Sequence, residues 1–255
     1  MLLELRRVTR RFGGLLAVSD LSMAIEPGSI HGLIGPNGAG KSTVFNLITG
    51  VIPLTAGEVL FKRERISGLR PSEICRRGIA RTFQATALFR EYTVLQNVLV
   101  GAHLVAAPGL ARAIFWSRSY RDRERRARER GRALLESLGL GAVAGQVAGQ
   151  LPHRDQKGLA LAMALATGAE LVILDEPLAG LADQEKAETI AVLRRLREQG
   201  ITVLLVEHDM KAVMGVCDTV TVLDHGVRIA EGTPREIQTN AAVIEAYLGA
   251  EEPGA

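Results

Sequence analysis

Gly35-Pro36-Asn37-Gly38-Ala39-Gly40-Lys41-Ser42-Thr43 lies between two apolar runs, Ser29–Ile34 and Val44–Ile48. The nonapeptide fits the pattern G-x-x-x-x-G-K-[ST] in the context that pattern requires, a strand before it and an apolar helix after it. Its glycines let successive backbone N–H groups turn inward as an anion nest, and the positive end of the following helix points at the same place. A polyphosphate seated there would meet Lys41 at its β- and γ-phosphates and bring a Mg²⁺ ion to the Ser42 hydroxyl. In this context a chance glycine turn with an accidental Lys-Ser is much the weaker reading.

Outward from the loop, the apolar runs Ser29–Ile34, Leu171–Leu174 and Ile201–Val206 each give way to a glycine turn or a helical pattern. Strands alternating with helices predict an α/β fold with a mostly parallel sheet. In such sheets ligands sit beyond the carboxyl ends of the strands. All three ends are polar: the loop at 35–43, the pair Asp175-Glu176, and the triplet Glu207-His208-Asp209. Asp175 closes a fully apolar run and can hold Mg²⁺ through water. Glu176 can polarise an attacking water, since phosphoryl transfer asks the protein mainly for positioning and charge stabilisation. Alone, such an acidic pair is as often a surface turn; beside a phosphate loop it becomes chemistry. His208 can contact the γ-phosphate and the water, although a single histidine at a strand end is more often structural.

The segment 88–151 lacks β-rich runs and offers helical stretches at Thr93–Leu104 and Arg118–Leu138, broken by Pro108-Gly109 and followed by four glycines between Gly139 and Gly149. It is expected to be a helical insertion in a single domain, with 1–87 and 152–255 forming the nucleotide-binding core. A chain of 255 residues that is 47% hydrophobic can bury such a core. The N-terminus has no apolar stretch of signal-peptide length. The longest apolar stretch, Gly158–Leu174, carries Glu170 and falls short of the roughly 20 residues a spanning helix needs. Cys75 and Cys217 are far apart, without metal-ligand spacing, and read as idle reduced thiols. The net charge of +3 is mild. Its basic run, Arg118–Arg132, is interleaved with Asp122, Glu124 and Glu129, which favours a solvated helix face over a nucleic-acid patch.

A phosphate loop alone admits kinases, GTPases and motors. Gln84 in Arg81-Thr-Phe-Gln84, Asp175-Glu-Pro177 and Glu207-His-Asp209, in this order and spacing, resemble the nucleotide-binding subunit of an ATP-binding-cassette (ABC) transporter over nearly the whole chain. The Asn-Lys-x-Asp base reader of a GTPase is missing from the sequence. The resemblance implies a P-loop NTPase core with added N-terminal antiparallel strands, and an ATPase that dimerises around ATP and Mg²⁺. It implies that Phe12 stacks on adenine, that 35–43 holds the phosphates, and that Ser42, Asp175 and Gln84 serve the metal. Lys41 would act in catalysis, with Glu176 as base, His208 as switch and Gln84 linking the site to the membrane subunit. The stretches 79–101, 207–218 and 231–249 are most similar to importers of branched-chain amino acids, with urea and amide importers as near relatives. The implied partners are polytopic permease subunits, a second cassette and, indirectly, a periplasmic or extracellular substrate-binding protein. The implied location is peripheral, on the cytoplasmic face of the inner membrane. The rival class is a soluble ABC ATPase acting on nucleic acid or ribosomes. Such proteins usually carry two cassettes or long arms, so no nucleic-acid partner is expected.

The sequence departs from the family at one loop. The signature Leu-Ser-Gly-Gly-Gln falls at Leu151-Pro-His-Arg-Asp155, before a helix expected from about Gly158. Pro152 replaces the serine and lacks both hydroxyl and N–H, and Arg154 brings a long side chain where close backbone approach is wanted. Ala182 replaces a usual acid or amide. In the family this loop completes the partner's site, so an impaired loop predicts a heterodimer with a different cassette. The alternative is that Arg154 itself supplies a cation to the phosphate.

Overall fold

A computed structural model describes residues 1–82, 88–106 and 118–248, and the chain divides into two compact units, Met1–Ile74 with Glu170–Ala255, and Cys75–Ala169. The elements of the first unit up to the boundary are β1 (Leu3–Phe12), β2 (Leu15–Ile25), β3 (Ile30–Ile34), α1 (Lys41–Ile48), β4 (Ala56–Phe61), β5 (Glu64–Arg65) and α2 (Pro71–Arg76), where the chain passes into the second unit. The second unit holds β6 (Ile79–Arg81), α3 (Val94–Ala106), α4 (Arg118–Ser137) and α5 (His153–Ala166). The first unit resumes with β7 (Leu171–Asp175), α6 (Asp183–Glu198), β8 (Thr202–Val206), α7 (Met210–Val216), β9 (Thr219–Asp224), β10 (Val227–Gly232), α8 (Pro234–Gln238) and α9 (Ala241–Leu248).

The first unit carries two sheets. One is antiparallel in the order β2-β1-β4-β5, opened by a hairpin in which Phe12 pairs with Leu15 across Gly13-Gly14. The other runs β10-β9-β3-β8-β7, with β9, β3, β8 and β7 parallel and β10 antiparallel at the edge. Every residue of β3 and β8 is buried, as apolar runs without alternation require when both faces of a parallel sheet are covered. From α1, Val44, Phe45, Leu47 and Ile48 join that core. Register aligns the exits: Leu33 and Asp175 both sit opposite Val206, so the segments after β3, β7 and β8 leave the sheet at one level.

The core of this unit also holds a histidine. His31 on β3 is 2% exposed, and its Nε2 lies 2.8 Å from Thr221 Oγ1, which in turn donates to Glu231 at 2.9 Å. Burial depresses its pKa from 6.5 to about 4, only partly offset by Glu231. Between those values the unfolded chain binds a proton that the folded chain does not. Stability therefore falls as the pH drops from 6.5 towards 4, by roughly 3 kcal/mol at most, and is fully present above 6.5. Denaturant titrations from pH 7 to pH 4 are expected to show this loss. His31→Gln should flatten it, and an unchanged slope in that variant would assign the loss to other groups.

In the second unit, α3 and α5 approach so closely that a Cβ on Gly101 would stand 2.5 Å from the Met163 carbonyl oxygen. Helix α3 begins one residue after Thr93, which exchanges reciprocal bonds with Gln96: Thr93 N–H donates to Oε1 at 2.8 Å and Gln96 N–H to Oγ1 at 3.2 Å. α5 begins at His153, five residues before the expected start, with Pro152 as an N-cap that offers no side-chain acceptor. A proline at the N-cap needs no N–H, and its φ of −54° suits a helix entrance. His153, Arg154 and Asp155 are thus the first turn of a helix, with Pro152, His153 and Arg154 exposed.

Candidate functional site

The loop 35–43 leaves β3 and enters α1, which starts at Lys41, so Lys41, Ser42 and Thr43 form the first helical turn. Gly40, at φ 99°, is an N-cap without a side chain, leaving the first-turn N–H groups uncapped by any side chain. Gly35 is held where a Cβ would sit 2.0 Å from the Leu223 carbonyl oxygen. Gly38, at φ 82°, has open space around its Cβ position. The loop is also braced from behind: Gly226 N–H donates to the Ala39 carbonyl at 3.0 Å. Lys41 Nζ donates to the carbonyls of Gly35 and Pro36 at 2.7 and 2.8 Å, curled over the loop it follows. Partial burial pulls its pKa down, while the nearby charges of Glu176 and Asp175 pull it up. Both acids therefore lie within electrostatic reach of the ammonium.

Asp175 ends β7, and the next residue bends sharply. Glu176 adopts φ 50°, a left-handed conformation that costs a side-chain-bearing residue roughly 1–2 kcal/mol, while its N–H donates to the Val206 carbonyl at 2.9 Å. The bend ties the residue to β8 and leaves the Glu176 carboxylate beside His208, two residues beyond that strand. His208 Nδ1 stands 3.8 Å from Glu176 Oε1, and the imidazole is two-thirds exposed. Asp209 caps α7, accepting from Ala212 N–H at 3.1 Å and from Lys186 Nζ at 2.8 Å. These bonds hold its carboxyl below the usual range, with the Lys186 bond foremost. Its neighbour Glu207 is buried and accepts the Leu178 N–H at 2.6 Å.

The structure thus brings together the loop, Lys41, Asp175, Glu176 and His208 at one edge of one unit. Phe12 ends β1 in the same unit, 41% exposed, with the Arg10 guanidinium 4.3 Å from its ring centroid. A cation over one face leaves a flat π-surface for a base on the other. Gln84 lies outside the described residues. The Ser42 hydroxyl and Asp175 carboxylate are hard oxygen donors, and among the described residues no cluster of three or more His, Cys, Asp or Glu could cage an ion alone. Such a set suits a hard cation that arrives with phosphate oxygens. Cys217 is pushed up to about 12 by burial and stays a thiol.

Sequence reasoning missed three residues. Glu207 and Asp209 sat in a recognised triplet without separate roles, and Asn97 was passed over. Asn97 is fully buried; its Oδ1 accepts from Phe89 N–H at 2.9 Å and its Nδ2 donates to the carbonyls of Phe89 and Thr93 at 3.1 and 3.0 Å. It fixes the segment that presents Phe89 and Tyr92, two rings stacked at 5.6 Å and each about half exposed. The only sequence signal was a polar residue on the apolar face of a helix.

A strand-borne phosphate loop, with two acids and a histidine at neighbouring strand ends, defines a P-loop ATPase, and comparison with known proteins narrows the class. The chain belongs to the ABC transporter family, whose sequence pattern matches residues 18–179, and its members of this type are ATPases. The pattern of the branched-chain amino acid ATP-binding cassette transporter matches residues 227–253. The chain is 42% identical to the high-affinity branched-chain amino acid transport ATP-binding protein LivG of Escherichia coli K12, covering 97% of this chain and 98% of that one. It is 41% identical, over the same shares, to the corresponding protein BraF of Pseudomonas aeruginosa. Its fold matches the crystal structure of the ADP conformation of MJ1267, an ATP-binding cassette of an ABC transporter. That match has a TM-score of 0.85 and 30% identity, over 97% and 98% of the two chains.

Proposed function

We propose that this chain is the ATP-hydrolysing subunit of an importer for branched-chain amino acids. The observation that carries the chemistry is the pair Glu176 and His208, 3.8 Å apart beyond the ends of adjacent parallel strands, with the Lys41 ammonium within electrostatic reach of Glu176. Residues Gly35 to Thr43 cradle the phosphates, Lys41 neutralises β- and γ-oxygens, and Ser42, Asp175 and Gln84 serve a Mg²⁺ ion. Glu176 orients and deprotonates the attacking water while His208 contacts the γ-phosphate. Phe12 stacks on adenine. The metal lends charge to the phosphates; the chain supplies position and the proton acceptor.

The substrate class follows from the LivG and BraF likeness and from the C-terminal match, which falls outside the phosphate machinery. The chain works peripherally, on the cytoplasmic face of the membrane, against polytopic permease subunits, with a periplasmic or extracellular binding protein acting indirectly. No described helix is long and apolar enough to cross a membrane. Phe89 and Tyr92 are the apolar contact we assign to the permease. Pro152 and Arg154 give α5 an uncapped, bulky first turn, which favours pairing with a second, different cassette.

Reconstitution tests this reading. The chain alone is expected to hydrolyse ATP slowly. Assembled in vesicles with a permease pair, a second cassette and the binding protein, it should drive MgATP-dependent leucine, isoleucine or valine uptake. Uptake of urea or an amide instead would move it to the neighbouring importer class. Failure to join any permease, with salt-sensitive RNA binding, would favour the soluble class. Full hydrolysis by the chain alone would remove the need for a second cassette.

A further inference from the structure

We infer that Glu207 is a positioning residue for hydrolysis, holding the backbone after Glu176 with one carboxyl oxygen and the imidazole of His208 with the other. The inference rests on the roles proposed for Glu176 and His208 and deepens them. A glutamate is almost never fully buried without a partner, and Glu207 is 1% exposed at the end of β8. Its Oε1 accepts the Leu178 N–H at 2.6 Å, fixing the segment two residues beyond Glu176. Its Oε2 is buried and has no hydrogen-bond partner among the described residues. Two groups of His208 act on this carboxyl: its backbone N–H, which together with the Leu178 N–H offsets part of the cost of burial, and its Nδ1, 4.0 Å from Oε2 and 3.8 Å from Glu176 Oε1.

One imidazole nitrogen therefore lies almost midway between two carboxyls, one buried and one lining the site. A small rotation closes the bond to Glu207, fixes the proton on Nδ1 and leaves Nε2 for the phosphate. The same rotation draws the ring off Glu176 and leaves that carboxylate to the water. If Glu207 served only the Leu178 N–H, an amide would serve equally well, because its oxygen accepts the same bond without carrying a charge into the core.

Glu207→Gln separates the two roles. The amide keeps the Leu178 acceptor but offers Nδ1–H an NH₂ donor in place of an oxygen. Steady-state hydrolysis by the complete assembly is expected to show kcat reduced at least about 10-fold, less than the roughly 100-fold or more that loss of an acid–base group itself commands, because Glu207 acts through the ring. KM for ATP and the melting temperature should hold. In a His208→Ala background the same change should add nothing, since it acts through the ring. A Glu207→Gln enzyme within twofold of the parent kcat, or an undiminished effect in the His208→Ala background, overturns the inference. If Glu207→Gln does not fold, ring ¹⁵N shifts of His208 in the unaltered protein at pH 8 decide. An Nδ1–H tautomer supports the assignment and an Nε2–H tautomer overturns it. The underlying site is tested apart from this: full turnover in His208→Ala would defeat the role of His208 itself.

Discussion

Glu176→Gln is expected to bind MgATP as tightly as the parent chain and to lose hydrolysis by at least about 100-fold, the range that removal of a positioned general base commands. The amide preserves the side chain's volume, and the left-handed backbone at φ 50° is set by the Val206 carbonyl, which the substitution leaves untouched. What disappears is the charge that turns and deprotonates water. Single-turnover hydrolysis, with nucleotide affinity measured alongside it, reads the two quantities separately, and an ATP-bound dimer should accumulate. A variant that turns over normally in the complete assembly would take Glu176 out of the chemistry and leave Asp175 to be tested next.

Lys41→Ala should act on the opposite quantity. Its ammonium bonds to the Gly35 and Pro36 carbonyls at 2.7 and 2.8 Å, and the charges of Glu176 and Asp175 act on it. Charge-assisted bonds of this kind contribute about 1.5–3 kcal/mol each. Losing the cation from a half-buried site should therefore weaken MgATP binding by roughly 100-fold or more. The fold should survive, because α1 is anchored by Val44, Phe45, Leu47 and Ile48 on its buried face. Isothermal titration on the folded variant decides the matter, and unchanged affinity would mean that the phosphates bind elsewhere.

The frame of the site was legible because its signals are local. The loop 35–43 announces itself by glycine spacing, and β3, β7 and β8 by runs of apolar residues without alternation. Each of these strands begins or ends within one residue of the expected position. The parallel register that brings Asp175, Glu176 and His208 to the same level follows from the topology those runs imply. What stayed hidden depends on contacts remote in sequence. Glu207 meets Leu178, 29 residues away, and nothing in a Glu-His-Asp triplet says which acid is buried and which caps a helix. Asn97 grips carbonyls that only the fold brings to it. The expected start of α5 near Gly158 lies five residues late, because the residues His153 to Lys157 carry no apolar periodicity that marks them as helical.

The wedge at Gly35 bears on how this lineage can change. Any side chain at position 35 would run into the Leu223 carbonyl at 2.0 Å whether or not a nucleotide is ever bound, while Gly38 faces open space. The two glycines are therefore constrained in different ways. A descendant that abandoned ATP would still be compelled by its own architecture to keep the first, and would be released from that architectural constraint at the second, where only the φ of 82° argues for glycine. Persistence of glycine at 35 is thus a record of how the sheet is built, and drift at 38 would be the earlier mark of a cassette that had stopped working as a motor.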